Sequence, residues 1–214
     1  MKTESRTGNM KLWAGKAMKS SQRAPKCADV TIKTAAPTKN LQGEAMSISM
    51  YRLTVPMFQR GLTTLKNYLE KAEAYAKEKG IDPNELVAAR LAPDMLPLSG
   101  QYQRASDSAK LAVARLTATE APKFEDSETT IAELRERIAK TETYLATIAP
   151  QALEGTETKE VTIAPGGNKM TFRGDEYVAT FALPNFYFHV ATAHAILRNQ
   201  GVPVGKIDYL GRFS

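Results

Sequence analysis

From Met50 onward, apolar residues recur at helical spacing. Leu53, Met57, Leu62, Leu65, Leu69, Ala72 and Ala76 stand three, four or five apart, the stripe of an amphipathic helix. Lys77, Lys79 and Gly80 end it, with cations near the carboxyl end and a glycine beyond. Pro56 is placed to bend its first turns. Asp82 and Pro83 read as the N-cap and first position of a short helix reaching about Ala89. The prolines of RLAPDMLPL, Pro93 and Pro97, then require a turn or an extended link. A second main helix is expected from about Ser99 to Ala118, with Ala105, Ala109, Ala112 and Leu116 on a seam small enough for close helix approach. Pro122 to Asp126 interrupts the pattern, Ser127 with the acids after it opens a third helix striped by Ile131, Leu134, Ile138, Leu145 and Ile148, and Pro150 closes it.

The pattern then changes period. Val161 to Ile163 and Met170 to Phe172 are short β-favouring runs around Pro165, Gly166 and Gly167, a hairpin signature. Gly174 ends the hairpin, and Asp175 can cap a last main helix that bends at Pro184 and stops at about Gln200, with Gly201 after it. The tail VPVGKIDYLGRFS reads as irregular. Four main helices with mostly short connections predict an all-α, up-down four-helix bundle carrying a small β-hairpin before its last main helix.

Charge divides the chain in two. Residues 1–45 hold nine Lys or Arg against three acids, whereas residues 46–214 hold twenty of each. This basic leader also carries the single cysteine, Cys27, and the single tryptophan, Trp13, and shows no periodicity, so it is expected to be disordered, with the bundle domain at 46–214. It lacks the apolar core of a secretory signal. A Lys-rich transit peptide, a nucleic-acid arm and sequence upstream of a native start at Met46 are the readings open to it. No nucleic-acid partner is expected, since the folded part has no basic excess. With no cysteine after Cys27 and no apolar run of membrane-spanning length, a cytoplasmic protein is the expectation.

Chemistry is confined to the last helix, which bears the only two histidines. His189 and His194 are five apart and diverge by roughly 140°, so they cannot form a one-face metal pair. Asn185, His189 and Thr192 share one face. Tyr187, His194 and Arg198 share another, expected to lie nearer solvent. His189 can be a buried hydrogen-bonded residue, a pocket or ligand residue, or a general base. Asn185 can cap the helix after Pro184 or serve the site. Asp107, between Arg104 and Lys110, reads as an ordinary surface ion pair. Phosphate-loop and serine-hydrolase patterns are absent.

The segments MSISMYRLTVPMFQRGL, ARLAPDMLPL, ASDSAK, PKFEDSETT and FALPNFYFHVATAHAILRNQGVPVGKIDYLG, in this order, resemble the bacterial domain of unknown function number nineteen-ninety-three. That family is similar to the DinB and YfiT-like four-helix bundles. The resemblance implies a divalent metal held by three histidines, one on helix two and an HxxxH pair on the last main helix, in some members with thiol-transferase activity. Here His189 matches the second histidine of the pair and Asn185 replaces the first. Helix two has no histidine, so Gln101 or Asp107 would stand in, their register being open. His189 is the one residue suited to ligate a metal, and such a donor set is poor for zinc or nickel. The expectation is a degenerate polar pocket around His189, Asn185, Asp107 and Gln101, with no cofactor or small-molecule ligand specified and a homodimeric assembly. A metal-dependent transferase or hydrolase and a non-catalytic binding or structural module are the alternatives.

Overall fold

The computed structural model describes residues 48–211, so the expectations for the basic leader lie outside the described residues. Helix α1 (Met50–Leu53) stops at Thr54, and α2 (Val55–Lys79) restarts with Pro56 in its first turn. Proline has no N–H to continue the earlier ladder, and the Thr54 hydroxyl donates back to the Met50 carbonyl at 2.7 Å, closing α1. Gly80, at φ 69°, ends α2 in the left-handed region. A 3₁₀ turn at Pro83–Ala88, capped by Asp82, leads through the proline-rich link to α3 (Leu98–Thr117).

Helix α4 spans Ile131–Ala146 and starts later than Ser127. The acids before Thr130 do not form its first turn. Thr130 and Glu133 close a capping box instead: the Thr130 hydroxyl accepts the Glu133 N–H at 3.2 Å, and the Glu133 carboxylate accepts the Thr130 N–H at 2.9 Å. Strands β1 (Glu160–Ile163) and β2 (Met170–Arg173) pair antiparallel with Val161 opposite Phe172. The chain then runs without a break through α5 (Gly174–Glu176), a π-helical turn (Tyr177–Ala182) and α6 (Leu183–Asn199). In the π turn the Leu183 N–H reaches back five residues to Val178, immediately before Pro184, which has no N–H to offer. The tail is not irregular. Val202 and Val204 are buried, and a short helix α7 (Lys206–Leu210) follows, its start held by the Asp208 carboxylate accepting the Gly205 N–H at 2.8 Å.

The chain thus forms a helical bundle with a hairpin before the last main helix. The four long helices run up, down, down and up. Arg135 on α4 pairs with Glu73 on α2, and Asn84 just past α2 accepts the Ile131 N–H, so α2 and α4 are antiparallel. Tyr187 bonds the Met57 carbonyl and His194 bonds Tyr68, so α2 and α6 are parallel. Between α3 and α4 the segment 118–130 climbs back along α3: Lys110 donates to the Pro122 carbonyl, Arg104 pairs with Asp126, and Gln103 bonds Glu128. Alternation fails there because the connection is long enough to return.

Helix α6 is seated on α2 by a glycine. A Cβ on Gly61 would lie 2.2 Å from the Phe186 ring, which also packs edge-on against Phe58 at 5.1 Å. With Phe186 turned toward α2, Asn185 and His189 meet α3. Among the described residues no helix is long and apolar enough to cross a membrane.

The return segment is fastened by Arg137 of α4, whose side chain is 2% exposed. Its guanidinium reaches Asp107 on α3 at 3.0 Å, Asp126 at 3.1 Å, Glu128 at 2.7 Å and the Glu125 carbonyl at 3.0 Å, and it packs against the Phe124 ring. Removing one member of a buried ion cluster leaves the others desolvated and unpaired, at a cost of about 3–5 kcal/mol. Arg137→Met is therefore predicted to lose about that much stability. Urea melts decide it, and a loss under about 1 kcal/mol would mean the cluster is solvated and does not hold the crossover.

Candidate functional site

Helices α3 and α6 meet along a polar seam with two rungs. His189 Nδ1 lies 2.9 Å from Gln101 Oε1, and Asn185 Nδ2 donates to Ser108 Oγ at 2.7 Å. Gln101 and Ser108 are seven residues apart, two helical turns, and Asn185 and His189 one turn apart, so the rungs run antiparallel on facing sides. Ala105, fully buried between Gln101 and Ser108, lets the backbones approach. The register open in the sequence is thereby resolved: Gln101 stands opposite His189, and Asp107 does not.

The upper rung fixes a tautomer. Gln101 is 2% exposed, and its Nε2 donates to the Leu96 carbonyl at 3.0 Å, so its oxygen must accept. His189 therefore carries its proton on Nδ1 and its lone pair on Nε2. Desolvation, helped by the Arg104 charge, pushes the imidazole down to about 4, so it is neutral near pH 7. In the lower rung Ser108 donates to the Arg104 carbonyl at 2.7 Å and accepts from Asn185.

A divalent-metal centre does not fit these residues. It would need donors from His189, Asn185 and α3 aimed at one point. The Gln101 oxygen is spent on Nδ1–H, and Asn185 is turned to Ser108, two turns along α3 from Gln101. Among the described residues, no group of three His, Cys, Asp or Glu could hold a metal.

Asp107 is not the surface ion pair its neighbours suggest. Arg104 and Lys110 are indeed within 3.2 and 3.0 Å, but Lys110 is 6% exposed, and Arg137 completes a buried cluster around the carboxylate. Asp107 and Asn185 also line a cleft of about 190 Å³ below the lower rung, between α3 and the π turn, whose other walls include Arg115, Tyr177 and Phe181. Gln101 and His189 are not part of that cleft. Sequence reasoning missed Arg137, Arg115 and Tyr177. A usable signal existed for Arg115, a cation inside the apolar run Leu111 to Leu116, and for the π turn, an aromatic run ending in Leu183 and Pro184.

The second histidine is engaged as well. His194 is half-buried, its Nδ1 2.8 Å from the Tyr68 hydroxyl, and it packs near Tyr209 of α7. Burial raises the Tyr68 phenol and lowers the His194 imidazole, so the phenol donates to a neutral ring. On this face Tyr187 and His194 are partly covered by α2 and the tail, while Arg198 is exposed to solvent.

The model of the family described as domain of unknown function (DUF1993) matches residues 50–210. The chain is similar to the crystal structure of a DinB family member protein from Shewanella denitrificans, at 44% identity and a TM-score of 0.73, over 77% of this chain and 93% of that one. No curated protein matches the chain.

An imidazole held below its free value adds stability above that value and loses it as the pH falls. Between the ordinary 6.5 and about 4, the unfolded chain binds a proton that the folded one does not. Discounted for partial exposure, His189 is predicted to withdraw about 1–2 kcal/mol across that window. Urea melts of wild type and His189→Gln at pH 7 and 4.5 isolate this share from the carboxylates, and identical pH slopes would show that the ring is solvated.

Proposed function

The chain belongs to the DUF1993 family, within the DinB-like bundles, and from that membership and the geometry of the seam we propose that it is a metal-independent binding module. The Gln101–His189 bond carries this reading. It spends the oxygen of Gln101, the α3 residue facing the one imaginable metal ligand, on the ring's Nδ1–H. A carboxamide is in any case a weak donor to a transition metal beside imidazole or thiolate, and among the described residues no group of three His, Cys, Asp or Glu completes a site around Nε2. Asn185 is turned to Ser108, its Nδ2 donating there two turns along α3 from Gln101. Such polar groups, paired between helices, specify how the helices dock and leave binding to the adjoining cleft. A metal-dependent transferase would have to build its site on His189 Nε2, with the Gln101 oxygen spent on Nδ1–H and Asn185 turned to Ser108.

We propose further that the module acts as a homodimer. Two large apolar side chains sit beside the upper rung and stay exposed: Phe188, 58% exposed and packed edge-on to His189, and Leu96, 46% exposed, whose carbonyl holds Gln101. The single cysteine lies before the bundle, so the fold uses no disulfide, which suits a reducing cytoplasm.

Protein purified without chelator is predicted to carry substoichiometric zinc, nickel and iron by elemental analysis, and added zinc is predicted to leave its melting temperature unchanged. One equivalent of metal, lost in His189→Ala, would establish the metalloenzyme reading instead. For the dimer, sedimentation velocity at micromolar concentration is expected to show two chains, and Phe188→Glu one. A wild-type monomer, or a dimer indifferent to that change, removes the assembly proposal.

A further inference from the structure

The cleft below the Asn185–Ser108 rung contains a charge that no anion balances among the described residues. Arg104, on its wall, is held by Asp107 and Asp126. Arg115, one turn beyond Leu111, is half-buried and makes no ion pair among the described residues. Its Nη1 donates to the Tyr177 hydroxyl oxygen at 2.8 Å, which leaves the rest of the guanidinium fork without a protein acceptor among the described residues. A half-desolvated guanidinium is matched best by a carboxylate, which can take two of its N–H groups at once.

Tyr177 adds a second donor. Its oxygen accepts from Arg115, and its own O–H proton has no acceptor among the described residues. Burial raises this phenol despite the opposing pull of Arg115, so the proton stays on. Asn185 uses one amide hydrogen on Ser108 and has another to give. Asp107 also borders the cleft, but Arg137, Lys110 and Arg104 surround it, so the unbalanced charge of the wall is positive.

The opposite wall is apolar. Leu111, Phe181 and Ala182 line it, and the Phe181 and Tyr177 rings stack at 5.9 Å. Three of these wall residues come from the π turn, a geometry that recurs at binding sites because it widens the helix and re-aims its side chains. At about 190 Å³ the cleft is smaller than the roughly 300–1,000 Å³ of drug-sized pockets, which restricts the occupant to a small molecule.

We propose that this cleft binds a small monocarboxylate with an apolar body, the carboxylate on Arg115 and Tyr177 and the body against Leu111 and Phe181. This assignment rests on the metal-independent reading, because it gives the anion an organic cation rather than a metal as its partner.

Isothermal titration of the full-length chain with benzoate, in the presence of EDTA, tests it. Saturable binding at one site per chain is expected. Arg115→Gln should weaken it by at least about tenfold and Tyr177→Phe by a few-fold, since the first removes a charge-assisted fork and the second a single donor. Benzyl alcohol, of similar shape without the charge, should not bind measurably, and inorganic phosphate should not compete. Circular dichroism checks that Arg115→Gln is folded. If it is not, Arg115→Lys keeps the charge without the fork and should still weaken binding. No saturation with benzoate either in EDTA or with added zinc, equal affinity in the folded Arg115 variant, or equal affinity for benzyl alcohol or phosphate overturns the proposal. The two readings fail separately. Benzoate binding that needs added zinc but still depends on Arg115 sinks the metal-independent reading and keeps the cleft. No binding with or without zinc sinks the cleft and leaves the other standing.

Discussion

Burying the Arg137 guanidinium commits the chain to surrounding it with anions, and the way those anions are recruited shapes the bundle. One carboxylate comes from α3, two more and a backbone carbonyl from the segment that climbs back between α3 and α4. With that segment pinned, α4 must begin near the end where α3 began, and the two helices run parallel. One donor, Nε, finds no partner, so the cluster specifies geometry at some cost in stability. The same cluster neutralises Asp107 on the side of α3 that faces α6, which leaves the neighbouring cleft under the influence of Arg115.

The α3–α6 seam follows a different logic. Close approach requires small residues, supplied by Ala105 and its neighbours along the seam, and close approach desolvates whatever polar groups stand beside them. Each such group then needs a partner across the gap. Gln101 with His189 and Ser108 with Asn185 meet that requirement with neutral groups on both sides. A metal site would meet it with converging ligands, and the two solutions exclude each other at the same positions. The choice between them rests on a few side chains, while the backbone architecture is common to both.

Much of this was legible in the sequence where the determinants are local. The stripes of α2 and α3, the stop at Gly80, the cap at Asp82 and the hairpin around Gly166 all rest on residues within a few positions of one another. What escaped depends on distant partners or very short elements. Asp107 resembles a surface pair because its decisive partner, Arg137, lies 30 residues away. Glu128, just after Ser127, imitates the acidic first turn of a helix, yet it serves Arg137 together with Asp126, while the true start is the Thr130–Glu133 box. Helix α7 is too short to show a period and owes its place to Asp208, which also pairs with Lys71, and to an Arg60 bond with the Leu210 carbonyl. The pairing of His189 with Gln101, and of His194 with Tyr68, required the rotation of α6, which the Gly61 seat for Phe186 sets from another helix.

The π turn gives the last helix one residue more than an α-helical path of the same length would need. On its hairpin side the helix starts in one rotational phase, and on its seam side it continues in another, about 100° away. Deleting one residue between Tyr177 and Ala182 would cancel the surplus and swing the hairpin-side residues around the axis while the seam stayed in place. The two halves of α5 to α6 are thus adjustable in chain length independently of each other. Insertions and deletions at this spot could re-aim the aromatic wall across related sequences without disturbing how the four long helices dock.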